Sequence, residues 1–231
     1  MVSTTAAPGS IAGSVRPMTS VAIQRLADSC VRVEVDGHSA LIDPGFYTWE
    51  HEGFDLDSMV PPDRLLITHN HTDHLSVEFV EALHAAHPDM TIETNDEVAK
   101  QLEDAGISAL TESASWTRQF DTPHERTPMD SQPQNVGFVV DDVFVHPGDS
   151  YTFDVKAPVL ALPLLPPWGS STEAVAVARR IRPEYVVPIH DWYVTQDGRR
   201  WLYGAIERVL SADGITLLRL DDFESVTVEV G

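Results

Sequence analysis

The chain has one cysteine, Cys30, in 231 residues. A single thiol excludes an internal disulfide framework and any paired-cysteine metal knuckle. Its setting in CVRVEV marks it as an apolar core position rather than a nucleophile. Cations are scarce: 15 Lys and Arg stand against 36 Asp and Glu, a formal charge of −21. So acidic a chain argues against a partner with a phosphate backbone and against an anionic membrane surface. It leaves open a local pocket in which a metal ion reverses the potential met by a substrate. No apolar run approaches the length of a membrane span. The opening MVSTTAAPGSIAGSVRPM lacks the apolar centre of a secretory signal. Residues 1–19 therefore read as a flexible arm before one domain over residues 20–231, with a reducing cytoplasm as the default location.

What the chain does have is 42% hydrophobic residues, enough for a sizeable core, in segments of clear period. VRVEVDGHSALIDPG alternates and turns at Asp36-Gly37, a hairpin signal. RLLIT at 64–68 is the short apolar run of a strand buried on both faces. SVEFVEALHAAHPDM has helical spacing and stops near Pro88; MTIET then reads as a strand. Thr94 and Glu97 suggest a capping box for EVAKQLEDAG, which Gly106 would close. Residues 116–135 are polar and proline-rich, and read as a loop at the molecular edge. A second hairpin is expected about Asp141-Asp142, then a buried strand in APVLALPLLPP and a helix capped by Ser170 with Glu173. PEYVVPIH reads as strand then loop, RRWLYGAIERVL as a helix, and ITLLRL and SVTVEV as closing strands. There is no internal repeat and no domain-separating linker, and two sheets between helices would use every element.

Within that frame LLITHNHTDHLS is dense in chemistry. Three of the ten histidines and an aspartate fall in residues 69–74, directly after a buried strand. If the backbone stays extended past Thr68, His69 and His71 point the same way, while Asp73 and His74 lie on the turn into the next helix. Imidazole and carboxylate are the donors that divalent cations take. The plain alternative is a polar loop with helix-capping histidines.

THNHTDH resembles the signature of the metallo-β-lactamase fold, and the surrounding pattern is most similar to its L-ascorbate-6-phosphate lactonase-like branch. GHSALIDPG at 37–45 resembles the early strand and turn that carry a structural aspartate, here Asp43. DTPHER offers His124 as the family's third histidine, with Pro123 where glycine is common; HPGDS offers Asp149, and PEYVVPIHDW offers His190. The resemblance implies an α/β fold, a four-layer αββα sandwich, with two divalent ions. His69, His71 and His124 would hold one, Asp73, His74 and His190 the other, and Asp149 would be shared. Zinc is favoured by so much imidazole, with manganese or iron as alternatives for a set containing carboxylates.

Two such ions about 3.5–4 Å apart hold a hydroxide and stabilise both attacking and leaving oxygens. The implied activity is hydrolysis of a small ester-like substrate, a lactone or phosphoester, with Asp73 catalytic in orienting the nucleophile. A small-molecule substrate is expected, with no nucleic-acid or membrane partner and a homo-oligomer left open. The other readings are a non-catalytic metal-binding protein of the same fold and an iron-dependent redox enzyme. Phe46, Tyr47, Trp49, Trp168, Trp192 and Tyr193 lie beside proposed ligand segments as a candidate wall. Arg118, Arg126, Lys156, Arg199 and Arg200 are the candidates for holding an anionic group. His38, His51, His84 and His87 read as turn or surface residues; His146, three before Asp149, suits either a position behind the ligands or strand packing.

Overall fold

Residues 18–231 are described by a computed structural model. The arm expected over 1–19 lies outside them except for Met18 and Thr19, and Thr19 opens the first strand. The first sheet takes β1 (Thr19–Arg25), β2 (Val31–Val35), β3 (His38–Ile42), β4 (Arg64–Leu66), β5 (Thr91–Glu93) and β12 (Ser225–Val230). Its order is β12-β1-β2-β3-β4-β5, antiparallel through β3 and parallel from β3 to β5. The second sheet takes β6 (Thr117–Asp121), β7 (Val136–Val140), β8 (Phe144–His146), β9 (Val159–Pro163), β10 (Tyr185–Ile189) and β11 (Thr216–Leu217), in the order β11-β10-β9-β8-β7-β6.

Strand alternation builds the layers. Val31, Val33 and Val35 of β2 and Ala40 and Ile42 of β3 turn inward to meet Phe138, Val159, Ala161, Val187 and Ile189 of the other sheet. Leu41 and Leu65 point the other way, under α2 (Val77–Ala86) and α3 (Asp96–Asp104). On the second sheet Leu160, Leu162 and Val186 pack beneath α4 (Ser171–Ile181) and α5 (Gln196–Ala212). Each helix covers its sheet with one stripe: Ala174, Val177, Ala178 and Ile181 on α4, and Tyr203, Ile206 and Leu210 on α5. Helix, sheet, sheet, helix is the αββα sandwich.

The Asp36-Gly37 hairpin forms with both residues at positive φ, and β7 and β8 meet across Asp141 and Asp142, also left-handed. Three expectations need correction. Asn95 rather than Thr94 caps α3, accepting the Val98 N–H, because Thr94 donates its hydroxyl to the Ile67 carbonyl instead. The polar stretch 116–135 contains edge strand β6, whose Arg118 and Asp121 are exposed while its backbone pairs with β7. ITLLRL supplies only the two-residue β11, since the sheet edge there meets β10 over just two pairs. The segment after Pro44 includes a short helix, α1 (Phe46–Trp49). Among the described residues no helix is long and apolar enough to cross a membrane.

Candidate metal centre

The centre gathers where several strands end. β3 leads to Asp43, β4 to residues 68–74, β6 to His124, β8 to Asp149 and β10 to His190. Asp43 ties the first of these together. Fully buried, it accepts the Thr68 N–H at 2.8 Å and the Thr68 hydroxyl at 2.9 Å, and pairs with His74 Nδ1 at 2.7 Å. Gly45 then lies so close to the histidine turn that a Cβ would sit 1.8 Å from the Asp73 carbonyl oxygen. The Phe46 N–H donates to the Thr72 carbonyl at 2.8 Å, closing the turn from outside. Gly148 has the same kind of need: at φ +60, a Cβ would meet the Asn135 side chain at 2.2 Å.

Donor atoms of His69, His71, His124 and Asp149 lie within 4.8 Å of one another, as do those of Asp73, His74 and His190. Asp149 joins the groups. Its Oδ2 is 3.3 Å from His124 Nε2, 3.2 Å from His190 Nε2 and 3.8 Å from His69 Nε2, while Oδ1 is 3.1 Å from His74 Nε2. Asp73 Oδ2 is 3.4 Å from His190 Nε2. All seven expected residues thus converge. Pro123 does not prevent this approach, because the loop docks through the N–H two residues on, Glu125 to the Asp149 carbonyl at 2.8 Å.

Electrostatics follow from crowding and burial. Burial, then the neighbouring His74, holds His69 well below the usual imidazole range; burial and His124 lower His71. Burial also works against a charged His74, but Asp149 and Asp43 push it well above that range. His190 is opposed by burial and raised by Asp149 to about 9. For Asp149 burial favours the neutral acid, yet His190 and His74 hold it well below the usual carboxylate range. The carboxylate-rich side of the centre thus favours the charged imidazole and the histidine-rich side the neutral one, and ligation of a metal ion requires the neutral form.

Several supporting residues carry no signal in the sequence. Asn135 donates to the Thr122 and Pro147 carbonyls and accepts the Asp149 N–H at 3.1 Å, tying the His124 and Asp149 turns together. Asn95 donates to the Thr68 and Gln134 carbonyls. Asp28, buried, accepts the N–H groups of Asp191 and Trp192 at 2.9 and 3.2 Å and so fixes the turn behind His190, itself at φ 65. Buried Arg25 pairs with Asp191 and Asp222, and Tyr203 donates to Asp191 at 2.5 Å. Trp168 was visible only as one aromatic of a wall; its indole N–H donates to Asp149 Oδ2 at 2.8 Å. Each partner lies many residues away, so no local pattern could announce it.

The remaining candidates divide. His146 is fully buried behind the centre, meeting the Ser29 carbonyl at 3.1 Å with Nδ1 3.7 Å from Asp43. His38 pairs with Asp141 and stacks on Trp116; His51 accepts the Gly53 N–H; His84 and His87 lie on and at the end of α2. Trp49 is a packing residue, stacked on Phe79 at 5.2 Å, and leaves the wall. Tyr47 and Trp192 stack at 4.4 Å, and Trp168 lies 5.7 Å from His190. Three of the five candidate cations are engaged by other carboxylates: Arg118 pairs with Asp142, Arg199 with Asp191, Asp221 and Asp222, and Arg200 with Asp197. Arg126 and Lys156 are exposed, and among the described residues no Arg or Lys pairs with Asp73 or Asp149.

The donor set fits a metal. Nε2 of His69, His74 and His124 and Oδ1 of Asp149 are buried and make no well-aligned hydrogen bond among the described residues; the imidazoles face Asp149 across the centre at 3.1 to 3.8 Å, as donors around a shared ion do. The other nitrogens are engaged as ligand histidines require: His74 Nδ1 on Asp43, and His124 Nδ1 on the Glu125 carbonyl at 2.5 Å. Fold and centre together define a metallo-β-lactamase-fold protein with a His/Asp metal site. A family model described as β-lactamase superfamily domain matches residues 22–190, and the chain belongs to that family. Protein Rv0786c of Mycobacterium tuberculosis is 28% identical, aligned over 80% of this chain and 91% of that one. Igni18, a metallo hydrolase from the archaeon Ignicoccus hospitalis, has a similar structure (TM-score 0.73, 20% identity, 92% of this chain and 100% of that one). So does CmlA, a diiron β-hydroxylase from Streptomyces venezuelae (TM-score 0.65, 15% identity, 91% of this chain and 54% of that one).

Proposed function

We propose that the protein is a dinuclear metal-dependent hydrolase of a small ester-like substrate, a lactone or a phosphoester. One observation carries the reading: a single buried carboxylate oxygen, Asp149 Oδ2, faces histidines of both groups at 3.2 to 3.8 Å. Seven donors exceed what one tetrahedral ion takes. His69, His71 and His124 would hold one ion, Asp73, His74 and His190 the other, with Asp149 shared and zinc favoured. Bound ions would supply Lewis acidity and a water acidic enough to attack at neutral pH.

The chain's own groups do the rest. Asp43 and the Glu125 carbonyl hold their imidazoles in the orientation that frees Nε2. Asp73, partly exposed beside buried His74 and His190, would orient the attacking water. Hydrolysis forms one bond from water oxygen to carbon or phosphorus, breaks the bond to the leaving oxygen, and delivers a water proton to that oxygen. A net charge of −21 disfavours a polyanionic substrate such as duplex DNA.

Elemental analysis after gentle purification should find close to two divalent ions per chain, and lactone or phosphoester turnover should track them. A chain that takes up no zinc, manganese or iron when these are supplied sinks the reading. A second reading, iron redox chemistry, is favoured by the likeness to a diiron hydroxylase; a visible absorption band and an iron content above zinc would select it.

A further inference from the structure

Three of the large apolar side chains exposed on the described surface, Phe46, Trp192 and Tyr193, stand together at one rim of the metal centre, at 46, 47 and 47% exposure. Tyr47 joins them into a strip. Phe46 meets Tyr47 edge-on at 5.8 Å, Tyr47 stacks on Trp192 at 4.4 Å, and Trp192 meets Tyr193 edge-on at 5.8 Å. A lone exposed aromatic needs no explanation, but a contiguous apolar strip beside a reactive centre does.

The strip is also fixed to the centre at both ends. Phe46 and Tyr47 follow Gly45, which is pressed against the Asp73 backbone, and the Phe46 N–H donates to Thr72. Trp192 follows His190 by two residues, and its N–H donates to buried Asp28, which also holds Asp191. The Tyr47–Trp192 stack therefore bridges the turn bearing Asp73 and the turn bearing His190. Whatever lies on it lies at a set distance from both.

We infer that this strip is the seat of a planar, uncharged aryl group carried by the substrate next to the bond that is cleaved. Ring faces and edges arranged this way attract another ring, at about 0.5–1.5 kcal/mol per well-placed pair beyond burial. The strip itself, Phe46, Tyr47, Trp192 and Tyr193, carries no formal charge and so suits an uncharged ring. The inference rests on the hydrolase reading and narrows it, favouring an aryl ester or aryl-fused lactone over a phosphoester.

The test separates seat from chemistry. Metal-loaded protein is titrated by calorimetry with dihydroquinolin-2-one, a lactam fused to a planar aryl ring and resistant to hydrolysis, and with 2-pyrrolidinone, which lacks the aryl ring. Turnover is measured in parallel on dihydrocoumarin and γ-butyrolactone. The lactam with the ring should bind more tightly, and W192A and Y47A should each weaken it roughly 3–10-fold, the factor a lost aromatic pair corresponds to. Y47F, which keeps the stack, should stay close to wild type. The dihydrocoumarin to γ-butyrolactone ratio of kcat/KM should fall by a similar factor in W192A, through KM. W201A, at a tryptophan 74% exposed on α5, should change none of these. An unchanged ratio and unchanged lactam affinity in W192A overturn the inference. So does a W192A protein that loses a dimer by light scattering while keeping its aryl preference, which would make the strip a subunit contact. Trp192-dependent lactam binding without turnover of any ester or lactone would refute the hydrolase reading and leave the seat standing.

Discussion

Between Thr68 and His74 the first half of the chain brings four of the seven facing groups from a single turn, whereas the second half brings His124, Asp149 and His190 from three turns, 25 and 41 residues apart. One turn can be organised by one group, and Asp43 does so through Thr68 and His74. Three turns need ties between segments: Asn135 from β7's approach to Thr122 and Pro147, the Glu125 N–H to Asp149, and Asp28 to the residues behind His190. The first half is thus ordered through one buried residue, and the second through several. Asp149 is where the two meet.

Breaking that meeting point should have the largest effect. D149A removes the one carboxylate that both groups face, so both ions should be lost together, with turnover down by far more than the roughly 10–100-fold typical of an outer partner. Metal analysis of D149A checks this; one ion retained at full occupancy would mean that the groups are independent. H124A should come next. It takes one ligand from one distributed group, lowering metal content and turnover together, while H84A on α2 should change neither. If the two behave alike, His124 does not belong to the centre's working set.

The same contrast governs what could be read in advance. His69, His71, Asp73 and His74 are visible because their geometry is a consequence of spacing: an extended backbone puts alternate residues on one side, and the turn swings the next pair in. The strands and helices were legible for a similar reason, since Val31, Val33 and Val35 or Ala174, Ala178 and Ile181 repeat with the period of their element. His124, Asp149 and His190 have no such periodicity, and only the order of motifs in a resembling family pointed to them. Arg25 and Asp191, Asp28 and Trp192, or Trp168 and Asp149 meet only through the tertiary fold. Thr94 shows the converse error: its side chain suited a cap, but the Ile67 carbonyl claimed it.

Arg25 offers a way to sharpen the comparison through stability. It belongs to β1, yet its guanidinium is buried against Asp191, next to His190. R25A would leave Asp191 inside the fold with only Arg199 and Tyr203 beside it. Removing one partner of a buried pair costs about 3–5 kcal/mol, which for a chain of this size lowers Tm by roughly 10 °C. Thermal unfolding followed by circular dichroism measures this. The accompanying loss of metal should fall on the group containing His190 before the group containing His69. Equal loss from both would show that Arg25 supports the fold in general rather than one turn.

The smallest expected change comes from a single hydrogen atom. Trp168 lies between His124 and His190, at 6.3 and 5.7 Å, and leans on Tyr151 at 5.1 Å. Its indole N–H is the one non-histidine donor on Asp149 Oδ2 among the described residues. W168F keeps an aromatic ring against those neighbours and removes the N–H, so a packing role and an orienting role come apart. If the N–H fixes the shared carboxylate, W168F should bind metal roughly 10-fold more weakly, the low end for an outer partner, with Tm of the metal-free protein little changed. Competition against a chelator of known affinity reads the first, and thermal unfolding in excess chelator reads the second. W168F with wild-type metal affinity would reduce Trp168 to a packing residue. A drop in metal-free Tm without a drop in affinity would do the same, and would leave Asp149 to be oriented by its histidines and by the Asn135 side chain that accepts its N–H.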